Sequence, residues 1–322
     1  MSEKVNILTH KDVDGLCSAA LATTVFSESE LYFAEAYYLA SKLDSLPKSD
    51  RIIIMDLGIN PSQKTEVMKS LKKASEETQV TYIDHHKLPK GVTKNDLPCD
   101  EVFHRTDVSA SELALEYFEP PLLLENIALM GAIGDWQEDT PRMSELIIKH
   151  GERISRLETI LLEQAIGASK EDPDYLKKVV RKLAEGVWPS SIPEMMGRAR
   201  SALEKEREVK EHTSEELEEI NDRIALVREV PHKATGRAAT YALRFENKEV
   251  GVGAYEDEDH MRVSMRRSEN SSVDLNEIIR ESTLQLGGTG GGHAAAVGGK
   301  IPIQKFDKFV EFVKKSVKNQ DN

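Results

Sequence analysis

The segment "VTYIDHH" (residues 80–86) decides how the first half of the chain is interpreted. A strand-like apolar run ends there in Asp84, His85 and His86. Taken alone, the segment is an ordinary polar turn, because Asp and His are common loop residues. Earlier in the chain lies "RIIIMDL" (51–57), a continuous apolar run of the kind that forms strands buried on both faces of a parallel sheet. The two runs together favour strands that end in functional side chains.

The runs around these two segments alternate between strand and helix patterns. Strand patterns cover residues 5–10 and 31–39, and helix patterns cover 15–26 and 61–77. This alternation predicts βαβ units and an α/β fold with a doubly wound parallel sheet. Helical patterns dominate from about 109 to 185. Ligands of such folds bind at the carboxyl ends of the strands, so we expect the functional site there.

Three regions are predicted along the chain. Residues 1–187 form the α/β domain, and residues 188–230 form a charged helical connector. Residues 231–322 form a smaller α/β domain, in which "ATYALRF" (239–245) and "EVGVGAY" (249–255) are interpreted as β-type runs. The glycine-rich "GGTGGGHAAAVGG" (287–299) is expected to interrupt the regular elements of this last region.

Composition describes a globular protein with room for two cores. The chain has 322 residues, of which 39% are hydrophobic and 31% charged. Its two cysteines, Cys17 and Cys99, provide neither a disulfide framework nor a cysteine zinc site. No apolar run approaches the roughly 18–20 residues of a membrane helix. We therefore expect a cytoplasmic protein with no membrane partner.

The acidic charge is concentrated in the first part of the chain. The net charge is −13, yet residues 226–322 carry 15 Lys+Arg and 14 Asp+Glu, which leaves 28 and 42 for residues 1–225. This balance argues against a broad basic surface that coats nucleic acid. A polyanion would instead be held locally, or beside bound metal ions.

Acidic and histidine side chains follow several of the apolar runs. They are His10, Asp12 and Asp14 after the first run, Asp56 after the second, Asp84, His85 and His86 after the third, and Asp135 after the run 126–134. If the runs end at one sheet edge, the carboxylates repel one another and raise one another's pKa values. Two divalent cations would balance four carboxylates, and oxygen-plus-imidazole ligands suit manganese and similar ions. The simpler alternative makes Asp12 and Asp14 a helix N-cap and a first-turn acid.

The motifs resemble those of the DHH phosphoesterase family, named for its Asp-His-His triplet. "HKDVDG", "IIIMDLG", "YIDHH" and "GAIGDW" occur in the order of that family, and "VSMRRS" followed by "GGTGGGHAAAVGG" is similar to its companion DHHA1 domain. Within the family, the spacing of the first motif resembles that of RecJ-type nucleases. The resemblance covers nearly the whole chain except the charged connector.

The resemblance implies a role for each motif residue. His10 and Asp12 would hold one metal ion, Asp14, His85 and Asp135 a second, and Asp56 would bridge both. The ions would be Mn²⁺, with Mg²⁺ or Co²⁺ as alternatives. Asp84 would orient a neighbouring histidine, and His86 would contact the scissile phosphate. Neighbouring strand-end side chains face different ways, which also predicts that the two histidines divide their work.

The C-terminal motifs imply a phosphate grip. Gly291 and Gly292, together with Gly290, would let the backbone approach a phosphate as an anion nest. His293, Ser264 and Arg266 would add donors. Arg267 is an alternative to Arg266, since a bulge changes which face a side chain takes. For Arg105 and Ser111, a surface residue and a helix cap are favoured over substrate contacts.

The function expected from the resemblance is a two-metal phosphodiesterase. A RecJ-like exonuclease on single-stranded DNA or RNA, with 3′-to-5′ polarity, is favoured. The alternatives are hydrolysis of nanoRNA, cyclic dinucleotides or 3′-phosphoadenosine 5′-phosphate, and a catalytically silent replication subunit. Expected partners are single strands or short oligonucleotides, a repair or replication protein such as a helicase, and a second copy of the chain.

Overall fold

The structure is a computed structural model that describes residues 3–320. The chain folds as two compact units, Met1–Ala202 and Leu203–Asn322. An α/β architecture was predicted for the first and the last region of the chain, and each of the two units contains a sheet packed against helices. No helix in residues 3–320 has the length and apolar character needed to cross a membrane.

The first unit is built on a five-stranded parallel sheet with strand order β2-β1-β3-β4-β5. The strands are β1 (Val5–His10), β2 (Glu30–Ala34), β3 (Arg51–Met55), β4 (Gln79–Asp84) and β5 (Glu101–His104). Ile53 on one face and Ile54 on the other are both buried. The continuous apolar run of β3 is therefore the consequence of burial on both faces, as its sequence predicts.

Helices cover both faces of this sheet, so the predicted doubly wound α/β fold is confirmed. One hydrophobic core includes residues of α1, α4, α5, α7 and α8, and the other includes residues of α2 and α3. The helices are α1 (Val13–Val25), α2 (Leu39–Asp44), α3 (Lys64–Glu77), α4 (Ala110–Phe118), α5 (Glu125–Gly134), α6 (Pro141–His150), α7 (Glu152–Gly167), α8 (Pro173–Ala184) and α9 (Met195–Glu215), which runs on into the second unit.

The second unit contains a mixed six-stranded sheet with strand order β10-β11-β9-β8-β7-β6. Its strands are β6 (Leu217–Asn221), β7 (Ile224–Val227), β8 (Val250–Asp257), β9 (His260–Arg267), β10 (Thr289–His293) and β11 (Ala296–Pro302). Its remaining helices are α10 (Thr235–Phe245), α11 (Leu275–Leu286) and α12 (Phe306–Asn319). Strands β6 and β7 lie within the segment 188–230, for which a helical connector was predicted.

Two predictions of local structure in this unit are wrong. "ATYALRF" is part of α10, because Ala238, Ala239 and Ala242 bury one helical face. The glycine-rich segment does not interrupt the sheet but pairs as the antiparallel hairpin β10–β11. One prediction in the first unit also differs: the strand pattern over 31–39 ends at Ala34, and α2 begins at Leu39.

Candidate active site

Strand order brings the predicted residues to one edge of the first sheet. Strand β1 ends at His10, Asp56 follows β3 directly, and β4 ends at Asp84. Strand β1 lies between β2 and β3, so connections leave it in opposite directions. This is the topological switch point, the usual ligand site of such sheets. His10 and Asp56 therefore flank the crevice that the fold itself creates.

Asp135 reaches the same edge by a different route. The sequence grouped it with strand ends, but it follows helix α5, whose C-terminal cap it forms. A short apolar run does not distinguish a buried helix from a buried strand. Gly131 of this helix is tightly packed, since a Cβ there would lie 2.2 Å from Ser111 Oγ and 2.8 Å from Asp14 Oδ1. The motif glycine thus allows α5 to approach the acidic residues.

Asp12 and Asp14 each accept hydrogen bonds from the backbone, and each also has a carboxylate oxygen that faces the site. Asp12 Oδ1 accepts a hydrogen bond from Gly15 N (2.9 Å), which caps α1, while Oδ2 lies 2.5 Å from His10 Nδ1. Asp14 is 2% exposed and accepts hydrogen bonds from Ala110 N (2.8 Å) and Ser111 N (2.9 Å). The helix-cap interpretation is therefore correct for Asp12, and it leaves one oxygen for a ligand.

The centre of the site is the ring nitrogen Nε2 of His85. It lies 3.3 Å from Asp56 Oδ1, 3.5 Å from Asp135 Oδ2 and 3.9 Å from Asp14 Oδ2. Within residues 3–320, this nitrogen and Asp56 Oδ2 are buried without any hydrogen-bond partner. Leaving buried polar atoms unpaired costs about 1–3 kcal/mol each, and more for charged groups. A bound cation removes this cost.

The ligand atoms form overlapping groups. Three sets of side chains place one ligand atom each within 4.8 Å of the others: His10 with Asp12 and Asp56; Asp14 with His85 and Asp135; and Asp56 with His85 and His86. The first two sets match the predicted division between two metal positions. Together with the unpaired atoms of Asp56 and His85, the donor chemistry fits two divalent cations of the manganese type.

Burial raises the pKa of two carboxyl groups of this site, Asp14 and Asp56, so they hold their protons to higher pH than an exposed aspartate does. It raises the pKa of Asp14 to about 6. Burial, and then the charges of Asp12 and Asp14, raise the pKa of Asp56 well above its usual value. A divalent cation must displace these protons, so its binding is coupled to pH.

We expect Mn²⁺ to raise the melting temperature more at pH 7 than at pH 5. A raised carboxylate pKa means that the folded state holds the extra proton, so its stability falls as pH rises from about 4 through about 6. Mn²⁺ offsets that loss at pH 7 by several degrees and competes poorly with protons at pH 5. Thermal unfolding of wild type and the exposed-site control Asp139→Asn checks this. A metal shift independent of pH in both proteins contradicts it.

His86 is held by Asp84 at the rim of the site. Asp84 is fully buried; it accepts a hydrogen bond from His86 N (3.1 Å), and its Oδ1 lies 2.9 Å from His86 Nδ1. This hydrogen bond raises the pKa of His86. Gly58 makes room for the ring, since a Cβ there would lie 2.7 Å from His86 Cγ. The half-exposed imidazole thus directs Nε2 away from Asp84, where a substrate anion can meet it.

Two residues of this region were not found from the sequence. Glu35 Oε2 lies 2.9 Å from His10 Nε2, which leaves His10 Nδ1 to face Asp12 and Asp56. Its position directly after β2 was the available signal. Trp136 follows Asp135 in a left-handed conformation (φ 58°) and is 85% exposed. Such a backbone is a clear outlier for a bulky residue.

Arg105 and Ser111 both have structural contacts; Arg105 is the surface residue favoured from the sequence, but Ser109, and not Ser111, is the N-cap of α4. Arg105 donates to both carboxylate oxygens of Glu116 (2.9 and 3.1 Å). Ser111 is fully buried and donates to Ala128 O (3.0 Å), while its N–H holds Asp14.

The predicted phosphate-grip residues share a face of the second sheet. Paired residues of antiparallel strands lie on the same face, so the register defines three rows across β8, β9, β11 and β10. The rows are Gly251–Arg266–Ala296–His293, Gly253–Ser264–Gly298–Gly291 and Tyr255–Arg262–Lys300–Thr289. Helix α10 packs over β8 on this face, because a Cβ at Gly253 would lie 2.2 Å from Thr235 O. We call the part of the rows on β9, β11 and β10 the open face.

The strand register shows which of two neighbouring candidate residues lies on the open face. Arg266 lies on the open face beside Ser264, whereas Arg267 pairs with Val250 and takes the opposite face. Gly291 is on the open face, and Gly292 is on the other, where a Cβ would lie 2.4 Å from Ala296 O. Arg266 has no carboxylate partner in residues 3–320; its Nη1 donates only to Met265 O (2.9 Å) and Val297 O (3.4 Å). The arginine is therefore available to an anion.

Family comparisons agree with this architecture. The family described as "DHH family, N-terminal domain" matches residues 4–135, and "DHHA1 domain" matches residues 221–319. A comparison with curated proteins gave no significant match.

Solved structures share the fold at low identity. The chain is similar to a pGpG-specific phosphodiesterase, PggH of Vibrio cholerae (15% identity, TM-score 0.64), covering 99% of this chain and 100% of that one. It is also similar to exonuclease RecJ bound to manganese (16%, TM-score 0.66, 98% and 90% covered). A third similar structure is CDC45 of Entamoeba histolytica (8%, TM-score 0.62, 98% and 95% covered).

The two family matches cover most of the chain, and they contain every residue of the metal-ligand groups and of the open face. The predicted family is thus confirmed. The chain belongs to the DHH family, carries a DHHA1 domain, and is by class a metal-dependent phosphodiester hydrolase.

Proposed function

We propose that the chain is a RecJ-like exonuclease that removes nucleotides from the ends of single-stranded DNA or RNA, with 3′-to-5′ polarity favoured. The observation that carries the proposal is the pair of ligand groups around Asp56, with two buried atoms left unpaired. All six ligand positions and His86 are present, which argues against a catalytically silent subunit. The proposed cytoplasmic location rests on composition alone, and a helicase or self-association partner rests on the resemblance alone.

Two divalent ions, with Mn²⁺ favoured, would be held by the ligands already described. His10 and Asp12 would serve one ion, Asp14, His85 and Asp135 the other, and Asp56 both. When bound, such ions neutralise the charge on phosphoryl oxygens and lower the pKa of water at the site. Glu35 holds His10 in the orientation that presents Nδ1.

His86 would act directly on the substrate. Asp84 orients this imidazole and, by raising its pKa, favours the protonated form, in which Nε2–H donates to a non-bridging oxygen of the scissile phosphate. The donor is fixed before the reaction by a fully buried carboxylate, which avoids reorganisation when charge develops.

Trp136 supports a substrate that carries a nucleobase. Its exposed indole stands next to Asp135, in a strained backbone that Gln137 N holds by donating to Ala132 O (2.9 Å). Stacking of one base on an aromatic side chain is worth about 1–3 kcal/mol. An inorganic polyphosphate gains nothing from this residue.

A second candidate is hydrolysis of very short substrates, such as a linear dinucleotide or nanoRNA. It is favoured by the nearly complete mutual coverage with the pGpG-specific phosphodiesterase. Hydrolysis of cyclic dinucleotides or of 3′-phosphoadenosine 5′-phosphate is a further alternative within the same class.

One digest separates these candidates. End-labelled 5-mers and 30-mers of DNA and RNA are incubated with Mn²⁺, beside pGpG, a cyclic dinucleotide and 3′-phosphoadenosine 5′-phosphate. A 3′-to-5′ exonuclease releases a 3′ label at once as a mononucleotide and shortens 5′-labelled strands stepwise. Cleavage of pGpG or of the 5-mers without any shortening of the 30-mers favours the second candidate and contradicts the first.

We expect Arg266→Ala to raise KM for oligonucleotides about ten- to a hundredfold with a smaller effect on kcat. Charge-assisted hydrogen bonds are worth about 1.5–3 kcal/mol, and the metal-ligand groups contain no residue of the sheet that carries Arg266. A small chromogenic phosphodiester should lose much less. Arg280→Ala, an exposed arginine on α11, is the matched control. Equal loss on both substrates would place Arg266 in the chemical step.

A further inference from the structure

The open face contains a second cationic row that the phosphate grip does not use. Arg262 and Lys300 are paired across β9 and β11, and Tyr255 is paired with Arg262 across β8. Lys233, on the segment before α10, places its ammonium 5.9 Å from the centre of the Tyr255 ring. These four residues line a surface cavity of about 420 Å³ together with Thr235 and Ser264.

The balance of charge in this cavity is positive. Arg262 Nε donates to Asp257 Oδ2 (2.7 Å), and Asp257 also feels the charges of Lys233 and Lys300, which lower its pKa further. Three cationic side chains thus lie near a single carboxylate, that of Asp257. Within residues 3–320, Lys233 and Lys300 have no ion pair of their own. An arrangement of this kind attracts an anion more than it stabilises the fold.

The backbone conformation that positions Lys233 is strained. His232 and Lys233 both have left-handed φ angles of 55°, which non-glycine residues rarely adopt in succession. His232 Nε2 lies 2.5 Å from Glu208 Oε2, which fixes the segment. Helix α10 then begins at Thr235 without a side-chain N-cap; Arg237 N and Ala238 N donate to Ala234 O, which leaves the N–H groups of Thr235 and Gly236 at the start of the helix for an anion.

The sheet surface between the row of Arg262 and the row of Arg266 is formed largely by glycines, so little side-chain bulk covers it. A Cβ at Gly298 would meet only Val263 O, at 3.7 Å, and one at Gly291 only Asn276 Oδ1, at 4.0 Å. Arg262 and Arg266 are four residues apart on β9, or roughly 13 Å at the usual rise of a strand. Two anion-binding positions are therefore joined by an open glycine and serine surface.

We propose that the cavity lined by Lys233, Arg262 and Lys300 is a second phosphate subsite, which binds another backbone phosphate of the oligonucleotide held at Ser264 and Arg266. This inference rests on the proposed function and makes it more specific. The preferred substrate is a single strand with several phosphates, because a dinucleotide, even with a 5′-phosphate, has no further phosphate for the subsite once one lies at His86 and one at Arg266.

Binding measured in EDTA tests the subsite without hydrolysis. Fluorescent (dT)8 and (dT)2 are titrated with wild type and with Lys300→Ala, Lys233→Ala and the rescue variant Lys300→Arg. Lys308→Ala, on the opposite helix layer, is the control. Loss of Lys300 should weaken (dT)8 binding about tenfold and leave (dT)2 within about twofold. The slope of log Kd against log salt should fall by about 0.7, as for one lost phosphate contact on a single strand.

Equal weakening of both oligomers by Lys300→Ala, or no weakening of (dT)8, overturns the subsite. Inorganic tripolyphosphate that displaces (dT)8 from wild type, but much less from Lys300→Ala, supports a site that recognises phosphate itself. Failure of the proposed function looks different. In that case wild type with Mn²⁺ cleaves neither oligomer, whatever Lys300 contributes to binding in EDTA.

Discussion

Replacing Asp56 by alanine should abolish hydrolysis of every phosphodiester substrate while the fold survives. Asp56 belongs to two of the three ligand groups, and its Oδ2 is buried without a partner. In the proposed assignment Asp56 bridges the two ions, so its loss removes a ligand from each metal position. Metal ions contribute several kcal/mol of transition-state stabilisation, so kcat should fall by about a thousandfold or more. Steady-state kinetics and thermal unfolding of the purified variant measure both parts of this prediction.

Asp56→Asn is the sharper variant, because Asp56 has a left-handed φ of 53°, which asparagine tolerates better than alanine. It keeps the backbone and removes the charge that burial disfavours. We therefore expect the metal-free protein to be at least as stable as wild type near pH 7. The exposed Asp139→Asn should remain fully active. More than a few per cent of wild-type activity in either Asp56 variant would contradict the shared-ligand assignment.

The second large expected effect is a difference between the variants of His85 and His86. His86→Ala should bind Mn²⁺ as wild type does yet lose about 100- to 1,000-fold in kcat, as expected for one oriented donor at the reacting group. His85→Ala should instead lose metal affinity, since three carboxylates converge on its Nε2. Manganese titration of both variants, with kcat at saturating metal, gives the comparison.

Asp84→Asn should lower kcat by an intermediate amount. It retains the shape of the buried side chain but weakens its hold on His86, so a loss of about 10- to 100-fold is expected with metal binding unchanged. His86 also belongs to a ligand group with Asp56 and His85. Equal loss of manganese in the His85 and His86 variants would make both histidines metal ligands and reject the division.

The cluster of candidate metal ligands was predictable because its residues follow patterns that sequence reveals directly. Strand β3 is apolar from Ile52 to Met55, and the Asp-His-His triplet starts at the last residue of β4, so their carboxyl ends could be located without pairing information. Asp135 was placed at the right edge on the wrong element, because the eight apolar residues before it (127–134) fit a helix or a strand equally well.

What the sequence did not show depends on register and on tertiary contacts. Glu35 is recognised as a partner of His10 only when β2 is known to lie beside β1. Lys300 and Arg262 are 38 positions apart and face the same side because β11 pairs with β9 in one particular register. A shift of one residue would reverse every side chain of the row.

Helix α10 shows the limit of short patterns. "ATYALRF" contains β-branched and aromatic residues that favour strands. Its alanines are nevertheless buried on one helical face, over glycines of β8 that leave space for a helix backbone. Tertiary packing thus overrides local propensity here.

Anomalous diffraction from crystals grown with Mn²⁺ tests the central claim most directly. The account predicts two manganese peaks in each chain at the carboxyl edge of the first sheet. One should contact His10, Asp12 and Asp56, and the other Asp14, Asp56, His85 and Asp135. A single peak, or two peaks that leave Asp56 without a contact to either ion, would contradict the two-metal account.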